Sequence, residues 1–175
     1  MANLDAPRGL RLLQLEGKVV RTREYAKTAG QIIYKGDLLM RVPAGTVQVY
    51  IAGTAAGAGI PIGVATHHSL AAKTDPVSVT DDPEASYVIQ TADAYAVADN
   101  GLNVDIAAAP SANTSLNFSG QEVAMATKAA TATLPLKLIG LANEINGAEN
   151  VAGANADVIV KINNVERGAG TTGIA

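Results

Sequence analysis

Between Thr74 and Gln90 the chain reads TDPVSVTDDPEASYVIQ, and this stretch limits the possible folds more than any other. Val77 and Val79 alternate with Ser78 and Thr80, the period-two pattern of a half-buried strand. Asp81, Asp82, Pro83 and Glu84 then interrupt the run. Pro83 has no backbone donor and steers Asp82 away from helical geometry. Tyr87, Val88 and Ile89 resume as a β-branched and aromatic strand. The stretch therefore predicts strand, acidic turn, strand, a hairpin in the core.

The same punctuation recurs along the chain. Ile32-Ile33-Tyr34 runs into the turn Lys35-Gly36-Asp37, then Leu38 to Val42, then Pro43-Ala44-Gly45. Thr46 to Ile51 predicts a strand with Val47 and Val49 on one face and Thr46, Gln48 and Tyr50 on the other. Ile60 to Ala65 predicts another. Ala92 to Ala98 is compatible with a short helix or a strand, stopped by Asn100-Gly101. Leu102, Val104 and Ile106 alternate as a strand. Ala107 to Ser119 has the composition of a surface loop. Glu122 to Thr133 is expected to be extended, and Leu134 to Ile139 forms an edge strand or strand start because of Pro135. Asn143 to Ala156 favours left-handed turns, and Asp157 to Val165 closes the body as a strand. Strands this short and this regularly spaced predict an all-β chain: a single β-barrel or β-sandwich domain with an extended N-terminal arm. The expected organisation is an arm over 1–30, a β-rich body over 31–167 and a flexible glycine-rich tail over 168–175.

Composition narrows the chemistry. The 175 residues suit one domain, and the absence of cysteine removes disulfide frameworks, thiolate metal sites and cysteine nucleophiles. Aromatic residues make up 3%, with one Phe and no Trp, which leaves little surface for stacking bases; no nucleic-acid partner is expected. No apolar run approaches the length of a membrane helix, and charges at Asp5, Arg8, Arg11 and Glu16 interrupt the N-terminus where a signal core would lie. The expectation is no membrane partner and synthesis in the cytoplasm.

Charge is split along the chain. Residues 1–41 hold eight basic and four acidic groups, while the remaining 134 hold five and twelve. A basic arm on an acidic body suggests docking on something negative, or neutralisation of its own body or of a neighbouring subunit. The leucines set among its arginines, Leu10, Leu12, Leu13 and Leu15, favour an arm that lies on a surface; an edge strand packed on its own domain is the other reading.

Tests for chemistry are negative. The loop GTAAGAG over 53–59 lacks the Lys-Ser/Thr of a phosphate loop and misses the dinucleotide spacing. His67 and His68 are adjacent, so on a strand they point to opposite faces and cannot share a metal. Asp81, Asp82 and Glu84 offer oxygen ligands for a hard cation but lack the spacing of a calcium loop. No serine stands in a nucleophile-elbow context. The sequence predicts no enzyme, no catalytic residues, no metal site and no cofactor.

Three stretches together resemble a known family. The opening Met1-Ala2-Asn3-Leu4-Asp5-Ala6-Pro7-Arg8-Gly9-Leu10-Arg11 is similar to the "Asp-Ala-Pro-x-Gly-Phe/Leu-Arg" start of the cement (decoration) proteins on the heads of tailed bacteriophages. Gly36-Asp37, followed by hydrophobic strands and Ile62-Gly63-Val64-Ala65, is the second stretch. Val79-Thr80-Asp81-Asp82-Pro83 with Tyr87-Val88-Ile89-Gln90 resembles the family's "Val-x-Asp-Asp-Pro … Phe-x-Val-Gln" strand pair. The likeness covers most of residues 1–91; residues 12–30 are more charged than the family pattern.

The resemblance implies a non-enzymatic virion protein that binds the outside of the major capsid shell and stabilises it against internal DNA pressure. It also implies a homo-oligomer, a trimer in the first instance, with the arm lying on the major capsid protein. Pro7, Arg8, Leu10 and Arg11 are the expected capsid contacts, supported by Arg21 and Arg23. On this view residues 1–15 are dispensable for folding of the body. Two alternatives stand beside it: another virion β-module, such as a head fibre or tail component, and a glycan-binding β-sandwich using Tyr50, Tyr87 and Tyr95.

Overall fold

Apolar residues at every second position of short strands leave two ways to bury a sheet face: against a second sheet, or inside the sheet's own curl. A computed structural model describes residues 3–13, 19–53, 60–107, 114–142 and 150–163 and shows both. The tail 168–175, the end of the proposed body and most of the glycine-rich loop lie outside the described residues.

Among the described residues eleven strands form: β1 (Arg11–Leu13), β2 (Thr22–Tyr25), β3 (Leu38–Arg41), β4 (Val47–Val49), β5 (Ile60–Ala65), β6 (Val77–Thr80), β7 (Ser86–Gln90), β8 (Asn103–Ile106), β9 (Val123–Ala129), β10 (Leu136–Leu141) and β11 (Asp157–Ile162). A 3-10 turn, Val97–Asp99, lies in the stretch where helix and strand were both open. The strands make two antiparallel sheets, β1-β7-β11-β10-β8-β9 and β2-β6-β5-β3-β4, packed as a sandwich and not closed into a barrel.

The main core lies between the sheets. Leu38, Met40, Tyr50 and Val64 from the five-stranded sheet meet Tyr87, Ile89, Val104, Leu136, Leu138, Val158 and Val160 from the six-stranded one. Leu39, Val47, Ile62, Ala65, Val77 and Val79 alternate with these along the pleat and form a second core on the other face of the five-stranded sheet, with Ile33. Among the described residues no helix covers that face. The sheet curls instead: the chain leaving β2 crosses to the far edge strand, where Val47 N–H donates to Ala26 O at 2.9 Å and Thr28 N–H to Val47 O at 2.8 Å. Ile33 and Ser69 bridge above it, and Lys27 Nζ donates to Ser69 Oγ at 2.9 Å and to the Leu70 carbonyl. Ile32-Ile33-Tyr34 is therefore part of this cover, not a strand of either sheet.

The expected central hairpin does not form. β6 pairs with β2 and β5, whereas β7 pairs with β1 and β11, so Asp81 to Ala85 carry the chain from one sheet to the other. The burial of β7 gives the reason. All five of its residues are buried, which requires a neighbour on each side and cover on both faces. Pro135 precedes β10, which lies between β11 and β8, so it marks a strand start. Asn155, at φ +55°, supplies the left-handed turn expected before β11.

The N-terminal segment belongs to the sandwich. β1 runs antiparallel beside β7 and β2 antiparallel beside β6, so the N-terminal segment supplies an edge strand to each sheet. Of the two readings of 1–30, the described residues take the edge strands packed on their own domain.

Candidate functional site

The segment from Asn3 to Leu13, where sequence places most of the docking residues, is fastened down by contacts far away in sequence. Asn3 Nδ2 donates to Val151 O at 2.8 Å and Ala154 O at 3.0 Å, and Val151 N–H donates to Asn3 Oδ1 at 3.1 Å. Gln90, at the end of β7, accepts from Ala6 N–H at 2.9 Å and donates to Leu4 O at 2.8 Å. Both amide ends of one buried side chain thus hold the segment in extended form.

Gly9 and Gly36 make the next contact. Leu10 N–H donates to Gly36 O at 2.9 Å, and Gly36 N–H donates to Ala65 O at 2.9 Å. At Gly9, φ is +63° and a Cβ would stand 2.5 Å from Gly36 O, so only glycine lets the two backbones approach. Beneath them Asp37 accepts from Tyr34 N–H at 2.7 Å and hydrogen-bonds Ser119. Burial pushes the Asp37 carboxyl above the ordinary carboxylate range, against the opposing effect of Ser119 and the Tyr34 amide. Gln121 closes the junction, accepting from Leu38 N–H at 2.6 Å and donating to Tyr50 O at 3.4 Å.

A second anchor lies at the sheet crossing. Asp81 is buried and receives Arg21 Nε at 2.8 Å and the Tyr25 hydroxyl at 2.7 Å, with Arg23 Nε at 3.7 Å. Burial alone would raise its pKa. The bonds from Tyr25 and Arg21 and the charges of Arg21 and Arg23 outweigh that and hold the carboxyl below the usual range. Asp82 Oδ1 accepts from Glu84 N–H at 3.0 Å and Oδ2 from Arg21 N–H at 3.4 Å. The acidic turn is thus an anchor for the N-terminal crossing. Among the described residues no group of three or more His, Asp or Glu side chains is placed to hold a metal.

These contacts redistribute the predicted docking residues. Leu10 is 2% exposed and belongs to the main core, which corrects its assignment as a capsid contact: a leucine this buried cannot meet a second protein. Arg11 pairs with Asp157 at 2.8 Å on the outer face of the six-stranded sheet, and Arg21 pairs with Asp81. Arg8 is exposed, Pro7 half-buried, and the Arg23 side chain 44% exposed. Residues 3–13 are accordingly packed into the sandwich, because they include an edge strand and a core leucine. The three tyrosines offered for glycans are also buried: Tyr50 at 7%, Tyr87 at 0% and Tyr95 at 2%. His68 stacks on Tyr34 with ring centroids 5.1 Å apart, while His67 is exposed.

Sequence reasoning assigned no anchoring role to Gln90, Ser119 or Gln121. The one available signal was Gln90 itself, a polar residue directly after the apolar run Tyr87-Val88-Ile89. A scan against family models, a search of curated proteins and a search of solved structures each return no match.

Proposed function

We propose that the chain is a non-enzymatic cement protein of a tailed-phage head, bound to the outside of the major capsid shell and stabilising it against the pressure of packaged DNA. The observation that carries this reading is where its resembling stretches lie. The opening segment, Gly36-Asp37, and Asp81 to Gln90 are scattered over ninety residues, yet all are partners in the attachment of one N-terminal segment to one sandwich. A pattern with a common structural purpose supports a shared architecture better than three coincidences do.

The docking contacts fall to the exposed part of that segment, Pro7 and Arg8, with Arg23 at the neighbouring edge. Such a contact is weak singly. A homo-oligomer, with the trimer implied by the resemblance, engages several sites at once and gains affinity without new contacts. The partners are the major capsid protein and further copies of the chain, and the location is the virion surface.

The test is co-sedimentation of the purified chain with heads that lack it. Saturable binding that raises the temperature at which heads release DNA supports the proposal. Failure to bind undecorated heads at any concentration refutes it.

A further inference from the structure

Pro7, Arg8 and Gly9 bridge two attachments of the N-terminal segment. Before them, the Gln90 side chain accepts from Ala6 N–H at 2.9 Å and donates to Leu4 O at 2.8 Å and Asn155 O at 3.1 Å. After them, Leu10 N–H donates to Gly36 O at 2.9 Å, and the Leu10 side chain enters the main core. Both ends of the bridge are therefore fixed, one to the end of β7 and the other to the turn before β3.

The bridge itself has little freedom. The Pro7 ring locks φ and carries no N–H that needs an acceptor. Gly9 stands at φ +63°, and a Cβ there would lie 2.4 Å from Ser119 Cβ, so the backbone is pressed against the sandwich at this point. Between a half-buried proline and a buried glycine, Arg8 is the exposed residue of the three. Among the described residues it takes part in no ion pair, whereas Arg11 and Arg21 are paired with Asp157 and Asp81 of their own sandwich.

We infer that Arg8 is a preset guanidinium fork for a carboxylate of the protein on which the segment docks, and that Gln90 is the positioning residue that presets it. This rests on the head-docking reading and names the partner's chemistry: an Asp or Glu side chain at the head surface, bound in the plane of the guanidinium through paired hydrogen bonds. The net charge of −3 disfavours a polyanion such as nucleic acid as the occupant. With the backbone beneath the fork already held, docking orders little further chain, so one arginine contributes more than it would on a loose arm. A lysine at this position would keep the charge and lose the fork.

The experiment is co-sedimentation of the full chain with undecorated heads, titrated to give a Kd for wild type, Arg8→Lys, Arg8→Ala, Gln90→Met and Arg8→Ala/Gln90→Met. Circular dichroism checks folding; Arg8 is exposed, so its two variants keep the test open should Gln90→Met fail to fold. Arg8→Ala is expected to raise Kd roughly thirtyfold, and Arg8→Lys about tenfold. Gln90→Met keeps the side chain's length and removes its hydrogen bonds. It is expected to raise Kd about fivefold when Arg8 is present and not at all when Arg8 is Ala. A merely structural Gln90 would weaken both backgrounds alike. A wild type that does not sediment with heads overturns the head-docking reading and this inference together. A wild type that binds while Arg8→Lys binds equally well, or a Gln90 effect undiminished without Arg8, overturns the inference alone.

Discussion

Leu10→Ala separates an N-terminal segment built into the fold from one laid on another protein. Leu10 keeps 2% of its surface exposed and lies in the main core, one residue before β1. Full burial of a leucine side chain is worth about 1.5–3 kcal/mol, and truncation to alanine adds the cost of the cavity, about 2–5 kcal/mol in all. The position adjoins an edge strand that can settle into part of the space, so the lower half of that range applies, about 2–3 kcal/mol. For a domain of this size each kcal/mol lowers the midpoint by roughly 2–4 °C, which gives a fall of roughly 4–12 °C. Urea and thermal unfolding followed by far-UV circular dichroism measure it. Leu4→Ala is the control: at 80% exposure its change stays within about 0.5 kcal/mol. A Leu10→Ala chain as stable as the control refutes the placement of this segment in the core.

Three further outcomes follow from particular contacts. Gly63 on β5 has φ +158°, and a Cβ there would overlap the Thr80 carbonyl of the paired strand and stand 2.8 Å from Val79 Cγ1; Gly63→Ala should cost about 3 kcal/mol or prevent folding, measured by soluble yield and urea midpoint. Asp81→Ala strips the Tyr25 hydroxyl and Arg21 of their acceptor, at about 2 kcal/mol near neutral pH. Because the folded state holds Asp81 below its unfolded pKa, this stability is present above the unfolded value and lost as pH falls through the folded one, so wild type and variant should converge in strong acid. Asp37 has the opposite sign. Its folded pKa lies above 3.8, so the folded state binds the proton more tightly and wild-type stability falls as pH rises from 3.8 to the folded value; Asp37→Asn should lack that decline, seen as a divergence of urea midpoints across the interval.

The strands were legible because each is a short alternating run closed by Gly, Pro, Asn or Asp. Which sheet each strand joins was not. Asp81 to Glu84 reads the same locally whether the chain folds back on itself or crosses to a second sheet. The difference lies in the partners of Tyr87 to Gln90, which sit at β1 and β11. The N-terminal segment shows the same limit. Of its leucines, Leu10 is buried in its own sandwich, Leu12 stays 42% exposed, and Leu15 lies outside the described residues. Nothing near Leu10 in sequence announces Gly36, Gln90 or Ser119, because attachment through backbone groups and single amide side chains leaves no periodic trace. The pairing of Arg21 with Asp81 was similarly hidden, since a basic arm and an acidic turn sixty residues apart are as compatible with an external partner as with each other.

The most direct test of the proposed function is the copy number of the chain in purified virions, by quantitative mass spectrometry against the major capsid protein. The account predicts a ratio near one copy per capsid subunit, as a cement lattice requires. A handful of copies per particle, or none, would contradict it.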